Sequence, residues 1–299
     1  MARQYFGTDG IRGRVNTPPM TAESALRLAI AAARTFAPNG GREVVIGRDT
    51  RRSGQMIEAA LIAGLTSMGL KPVLLGIVPT PTVALMTRET GAALGLMVSA
   101  SHNKSDDNGI KLFSPAGIKL TDAEEEALEA AMASAFEGDF APPPAISTPH
   151  HMKGATTLYL ERCLETVGTD IDFSGLKIVL DCAHGAAYEV GPAALRQLGA
   201  DVTIIGDTPD GLNINAGVGS TATGLLKSTV TETGADIGIA FDGDGDRLGI
   251  VTNLGEAVDA DKILMLLVKH IAPKYPAAPI IYDVKCSSNL ARVITAMGA

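Results

Sequence analysis

AALIAGLTSMGLKPVLLG at 59–76 reads as an apolar helix, a glycine that releases it at Gly69, and a short buried strand. Glycine suits the left-handed position after a helix because it has no Cβ to clash there. The phrase returns as AALRQLGADVTIIG at 193–206, with Gly199 in the same place, and begins again as LARVITAMGA at 290–299. A repeated unit of helix, glycine and buried strand predicts parallel strands covered by helices.

Working outward, VVIG at 44–47, a helix near 54–68, PVLLG at 72–76 and ALGLMVSA at 93–100 continue the pattern, and a helix near 122–134 with Thr121 or Asp122 as cap closes it. The proline-rich FEGDFAPPPAISTPHH at 136–151 marks a boundary. Beyond it come a helix near 154–167, KIVLD at 177–181, a helix near 187–198, VTIIG at 202–206, a helix near 221–232, and paired strands around DIGIAFD and RLGIVTN. The expected fold is α/β, with tandem α/β/α domains built on parallel or mixed sheets at 1–150 and 151–256. Residues 257–299 read as a partial third unit: a helix, a strand PIIYD at 279–283 and a second helix. So little sheet is not stable alone, so this unit is expected to lean on the second domain, pair with another copy of the chain, or move.

With 299 residues, 46% hydrophobic and 19% charged, the chain has ample apolar surface for packed cores. A net charge of −8 without a Lys/Arg-rich run removes the electrostatic footprint of a nucleic-acid or anionic-membrane binder. Cys163, Cys182 and Cys286 are too few and too scattered for a disulfide framework or a zinc site, so reduced thiols and a cytoplasmic location are expected. The first twenty residues lack the apolar core of a signal peptide, and no apolar run reaches the ~20 residues of a membrane span.

FDGDGDR at 241–247 sets Asp242, Asp244 and Asp246 at alternate positions between two apolar strands. Three hard oxygen donors on a glycine-relaxed turn suit Mg²⁺; a solvated acidic turn is the bland alternative. A calcium hand fails, because Arg247 stands where its glycine belongs and Asn253 where its bidentate glutamate belongs. Arg247 can pair with a phosphate that bridges to the metal, or form a salt bridge with an aspartate.

VSASHNKSDDNGIKLF at 98–113 runs from a strand end into a polar turn and back into a strand, the place where open α/β sheets carry ligand chemistry. Ser101 and His102 sit in the turn, a pair that alone is ordinary surface. Asn108-Gly109 predicts a tight reversal that returns Lys111 toward Ser101 as a cation or base. A metal held by three carboxylates calls for a bridging anion, which a phosphate on Ser101 would supply.

FGTDGIRG at 6–13, GRDTRRSG at 47–54, SASHN with DNGIK across 99–111, and FDGDGDR at 241–247, in this order, resemble the α-D-phosphohexomutase family. Over 1–256 the chain is similar to the phosphoglucosamine mutase branch, which NINAGVGST at 213–221 also resembles; IIYDVKCSSNL at 280–290 resembles the phosphomannomutase/phosphoglucomutase branch. The resemblance implies a mutase acting on a hexose phosphate, glucosamine phosphate favoured, through two in-line phosphoryl transfers with Mg²⁺. It makes Ser101 the phosphoserine and a metal-bridging residue, with Asp242, Asp244 and Asp246 the other Mg²⁺ ligands. Ser101, His102, Lys111 and Arg12 become catalytic residues, with Lys111 the favoured proton carrier. Arg247, Thr8, Asp9, Asn108 and Lys285 become substrate or phosphate contacts, and Arg48 and Arg52 brace the first loop.

Departures temper these expectations. Lys104 replaces the family's usual proline after SASHN, and the family's Glu-x-Ser-Gly-His and Arg-x-Ser-Gly-Thr motifs have no counterpart, so weak or absent turnover is expected. Two other readings stay open: a non-catalytic metal-binding fragment or chimaeric, engineered scaffold with a seam near 254–262, and a phosphatase using Asp242-Gly-Asp244 as its nucleophile motif.

Overall fold

The computed structural model describes residues 5–7, 9–168, 171–275, 279–282 and 286–296. Ten elements form the first unit: β1 (Ile11–Arg14), α1 (Ala22–Phe36), β2 (Glu43–Arg48), α2 (Gly54–Ser67), β3 (Lys71–Ile77), α3 (Thr80–Thr90), β4 (Leu94–Val98), β5 (Asp107–Phe113), α4 (Asp122–Ala133) and β6 (His150–His151). Its strands order as β1-β5-β4-β2-β3-β6. The β2, β3, β4 and β6 pairings are parallel, and β5 runs antiparallel to both β4 and β1.

Strand alternation sends successive side chains to opposite faces. Val44, Ile46, Leu94, Leu96 and Val98 pack under α1, α2 and α4 with Leu28, Ile57, Leu61 and Leu128. Val45, Val73, Leu75 and Met97 pack on the other face with Val83 and Met86 of α3. Both faces being covered, β4 is buried along its whole length and reads as an unbroken apolar run. At the start of α4, Thr121 and Glu124 cap each other's backbone N–H groups reciprocally.

The second unit contains α5 (Ala155–Val167), β7 (Lys177–Asp181), α6 (Val190–Gln197), β8 (Asp201–Ile205), α7 (Gly224–Thr233), β9 (Ile237–Phe241), β10 (Leu248–Thr252) and β11 (Ala257–Val258). Its sheet orders as β11-β10-β9-β7-β8, with Leu226 and Val230 of α7 on one face and Leu160 and Val190 of α5 and α6 on the other. The α/β, tandem three-layer expectation is met. The two sheets reach His151 and Val258, just past the boundaries placed at 150 and 256.

Next come α8 (Ala260–Ile271) and α9 (Ser288–Ala296), which share a small cluster of Val268, Leu290 and Ile294. The strand expected at 279–283 is not found in its described part: 279–282 have no strand pairing, and Ile281 is 89% exposed. A strand exists through its hydrogen-bonded neighbour, and among the described residues none lies beside it. No described helix is long and apolar enough to cross a membrane.

Candidate metal and phosphoryl-transfer site

The loops after the neighbouring strands β2 and β4 meet where the chain leaves β2 toward β3 on one side and β4 toward β5 on the other, and the β9–β10 turn of the second unit closes onto them. Ser99 donates to Asp49 Oδ2 (2.7 Å) and accepts from the Ser101 backbone N–H (2.9 Å). Ser101 then takes a left-handed conformation, φ +52°, which costs a residue with a Cβ about 1–3 kcal/mol.

The surroundings over-determine that conformation. Arg51 is buried and pairs through Nε with Asp49 Oδ2 at 2.9 Å. Its Nη2 donates to the carbonyls of Ser101 (3.0 Å) and Asn103 (2.7 Å), and its Nη1 to those of Asp107 (3.0 Å) and Lys104. From the second unit, Asn215 Nδ2 donates to the same Ser101 and Asn103 carbonyls, 2.9 Å each.

Asn108 and Gly109 do not make the expected reversal. Both lie inside β5, and the chain turns earlier, over 101–106. Asn108 is buried, donating to Ser53 Oγ (2.9 Å) and accepting from Gly109 N (2.8 Å). Gly109 serves close approach, since a Cβ there would fall 2.5 Å from the Ser99 carbonyl oxygen and 2.8 Å from that of Ile11. Lys111 still reaches the site, because β5 carries it across from Met97 of β4.

Ser101 Oγ donates to Asp242 Oδ2 at 2.6 Å. Asp242, Asp244 and Asp246 each offer an oxygen within 4.8 Å of the others, the first two buried and the third exposed. Asp244 Oδ2 accepts from Thr80 Oγ1 (2.6 Å) and Lys111 Nζ (2.8 Å), and Lys111 also donates to Asp246 Oδ2 (2.8 Å). Asp244 Oδ1 is buried with no hydrogen-bond partner among the described residues. Three converging carboxylates, one with an orphaned oxygen, and a serine hydroxyl are hard donors that fit Mg²⁺.

Burial, reinforced by the Asp244 charge, pushes the Asp242 carboxyl up. Burial would also raise Asp244, but the Lys111 ammonium and the bonds from Lys111 and Thr80 outweigh it and hold it below the usual range. Lys111 is the mirror case: burial favours the neutral amine, and the Asp244 and Asp246 carboxylates more than offset it. His102 is held below its ordinary value by burial, then by Arg247 and Arg12.

The remaining expected residues divide. Arg12 pairs with Asp9, whose Oδ2 is also 3.5 Å from Lys111 Nζ, and a cavity of about 400 Å³ lined in part by Asp9 and Arg12 opens there. Arg247 lies 3.9 Å from both Asp242 and Asp246 with its side chain 49% exposed, so neither holds its guanidinium tightly. Arg48 pairs with Glu58, and Arg52 faces the second unit, its guanidinium 3.5 Å from the Asp210 carbonyl and its N–H donating to that of Gly211 at 3.0 Å, so neither is seen bracing the first loop. Thr8 and Lys285 lie outside the described residues. Sequence reasoning passed over Arg51, Thr80 and Asn215. Arg51 and Asn215 lie inside the quoted stretches GRDTRRSG and NINAGVGST, but type and spacing do not say which arginine of three is buried or which asparagine faces the first unit.

Residues 3–139 match the phosphoglucomutase/phosphomannomutase alpha/beta/alpha domain I and residues 157–255 the alpha/beta/alpha domain II. The chain belongs to the phosphoglucomutase/phosphomannomutase family. It is 68% identical over 267 residues to a phosphoglucosamine mutase of Hyphomonas neptunium, covering 89% of this chain and 60% of the relative. It is 48% identical over 300 residues to one of Caulobacter vibrioides, covering 99% of this chain and 67% of the relative. That second match takes in both sides of residues 254–262. A crystal structure of a phosphoglucomutase/phosphomannomutase family protein from Burkholderia thailandensis superposes with a TM-score of 0.85 at 30% identity, over 100% of this chain and 65% of that one. The family member described here thus spans about 60% of the length of the Hyphomonas relative.

Proposed function

We propose that this chain carries the phosphoserine and metal loops of a hexose-phosphate mutase, with glucosamine phosphate the favoured substrate. The observation that supports it most is Ser101 Oγ at 2.6 Å from Asp242 inside a three-carboxylate cluster. Ser101 and the three aspartates would hold Mg²⁺, which when bound offsets negative charge on a transferring phosphoryl group.

In the proposed reaction the bond from phosphorus to Ser101 Oγ breaks as a hydroxyl of the hexose monophosphate forms a new one. Lys111, expected to take the hydroxyl proton, is held as the ammonium by Asp244 and Asp246 and serves as a cation beside the phosphoryl group. The proton goes instead to the imidazole of His102, which burial, Arg247 and Arg12 keep neutral, and returns to the product oxygen in the reverse transfer. The resulting bisphosphate presents its other phosphate to Ser101, and the reverse transfer regenerates the phosphoserine. Arg12 and Arg247 spread charge over the phosphoryl oxygens.

The test is intact mass after incubation with Mg²⁺ and a hexose 1,6-bisphosphate. One acid-stable phosphate on the protein, absent from Ser101→Ala, is expected. No phosphate uptake, or a hydroxylamine-labile acyl phosphate on an aspartate, would overturn the reading. Glucosamine, glucose and mannose phosphates offered to the phosphoprotein as acceptors then rank the sugars.

A further inference from the structure

Each of two backbone carbonyls in the serine loop is gripped from both domains at once. The Ser101 oxygen accepts from Arg51 Nη2 at 3.0 Å and Asn215 Nδ2 at 2.9 Å; the Asn103 oxygen accepts from the same two nitrogens at 2.7 and 2.9 Å. A carbonyl has two lone pairs, so both are fully used, one by each domain.

Asn215 is itself fixed. Its backbone is left-handed, φ +56°, a conformation asparagine tolerates better than most residues with a side chain, and its N–H donates to the Ala183 carbonyl (2.9 Å). The buried Asp181 carboxylate holds this corner by accepting from the N–H groups of Ala183 (2.9 Å) and Gly219 (2.6 Å). Gly243 of the aspartate loop lies directly against the clamp: a Cβ there would come 2.6 Å from Asn215 Nδ2 and 2.6 Å from the Ser101 carbonyl oxygen.

We propose that Asn215 is a positioning residue through which the second domain sets the main-chain conformation of Ser101, with Arg51 its counterpart in the first. The proposal rests on the reading of Ser101 as the phosphoryl carrier. The φ of Ser101 decides where its hydroxyl points, and that φ is unfavourable unless held. With both donors present, Oγ faces Asp242. With Asn215 removed, Arg51 alone holds the two carbonyls, and the loop can relax toward right-handed conformations that turn Oγ away from the cluster. Moving one domain against the other breaks the Asn215 bonds together with the Ser101–Asp242 bond, so the serine is aligned for transfer only when the domains are docked.

The full chain is tested as Asn215→Gly, which keeps a positive φ without strain and removes the amide, and as Asn215→Asp, which keeps the shape but turns an acceptor toward two acceptors. Arg51→Lys, which loses the fork, is the variant from the first domain. Three quantities are read on each: Mg²⁺ Kd by calorimetry, the rate of Ser101 phosphorylation by a hexose 1,6-bisphosphate at saturating Mg²⁺, and amide hydrogen exchange across 99–108. We expect phosphorylation to slow on the order of 10- to 100-fold in Asn215→Gly, as misplacement of a reacting group does. Mg²⁺ binding by the three carboxylates should persist, and faster exchange should be confined to 99–108. Wild-type rate and exchange would overturn the proposal. So would parallel loss of rate, metal binding and protection across the second domain, the mark of a merely structural residue. If the unaltered protein takes no phosphate, the reading of Ser101 as carrier falls, while the exchange comparison still decides whether Asn215 positions the loop.

Discussion

Ser101 and Asp242, 141 positions apart in the chain, are joined by a 2.6 Å hydrogen bond from hydroxyl to carboxylate. Each comes from the turn after an apolar strand of a different sheet, so the contact exists only when the two units are docked. It sets the hydroxyl against the acidic cluster, so the proposed metal binding and the proposed serine chemistry would share a single site.

The orphaned Oδ1 of buried Asp244 makes this carboxylate the one most dependent on a cation. Asp244→Asn should weaken Mg²⁺ binding at least tenfold, about 1.4 kcal/mol, by calorimetry. Unchanged affinity would move the metal site away from this cluster.

Thr80 ties the first residue of α3 to the aspartate loop twice: its N–H donates to the Asp244 carbonyl at 2.9 Å and its hydroxyl to the carboxylate at 2.6 Å. Thr80→Val keeps the shape and deletes the second bond, one made to a charged group. We expect a loss of about 1.5–3 kcal/mol in urea unfolding followed by circular dichroism. A change inside about 0.5 kcal/mol, the scatter of neutral surface substitutions, would mean that the bond contributes little.

Gly109 sits where two backbone carbonyls leave no room for a methyl group. Gly109→Ala should lower stability by about 1–3 kcal/mol and speed amide exchange in β1 and β5. Wild-type stability would show that the sheet edge adapts.

His102 binds its proton less tightly folded than unfolded, because of burial and then Arg247 and Arg12. Its contribution to stability is therefore complete above its ordinary 6.5 and is lost as pH falls through the lower folded value. An NMR titration should place the His102 midpoint below 6.5, and Arg247→Ala should move it up. A midpoint at or above 6.5 in the unaltered protein contradicts this account.

Much of the fold was legible because its signals are local. β4 is apolar throughout, Gly69 and Gly199 end helices in left-handed turns, and KIVLD at 177–181 forms a strand over just those residues. The sequence reading gives no helix at 22–36 or 80–90. In α3 the prolines at 79 and 81 look like breakers, although proline is tolerated in a first turn, and α1 presents mostly small residues. That smallness makes sense only against Gly64 of α2, where an added Cβ would come 2.6 Å from Ala29 Cβ. The aspartates and Ser101 were legible by type and spacing. Arg51 and Asn215 were not, because their role lies in which distant carbonyls they face. The reversal read into Asn108-Gly109 failed for a related reason: a strong local turn signal yields when a neighbouring strand, here β1, pairs through those residues.

The central claim is that one divalent ion touches both loops, and anomalous diffraction from crystals soaked in Mn²⁺ tests it most directly. The account predicts one strong peak about 2.0–2.2 Å from oxygens of Asp242, Asp244 and Asp246 and from Ser101 Oγ or a phosphate on it. A peak bound elsewhere, or one held by the aspartates with the serine turned away, would contradict it.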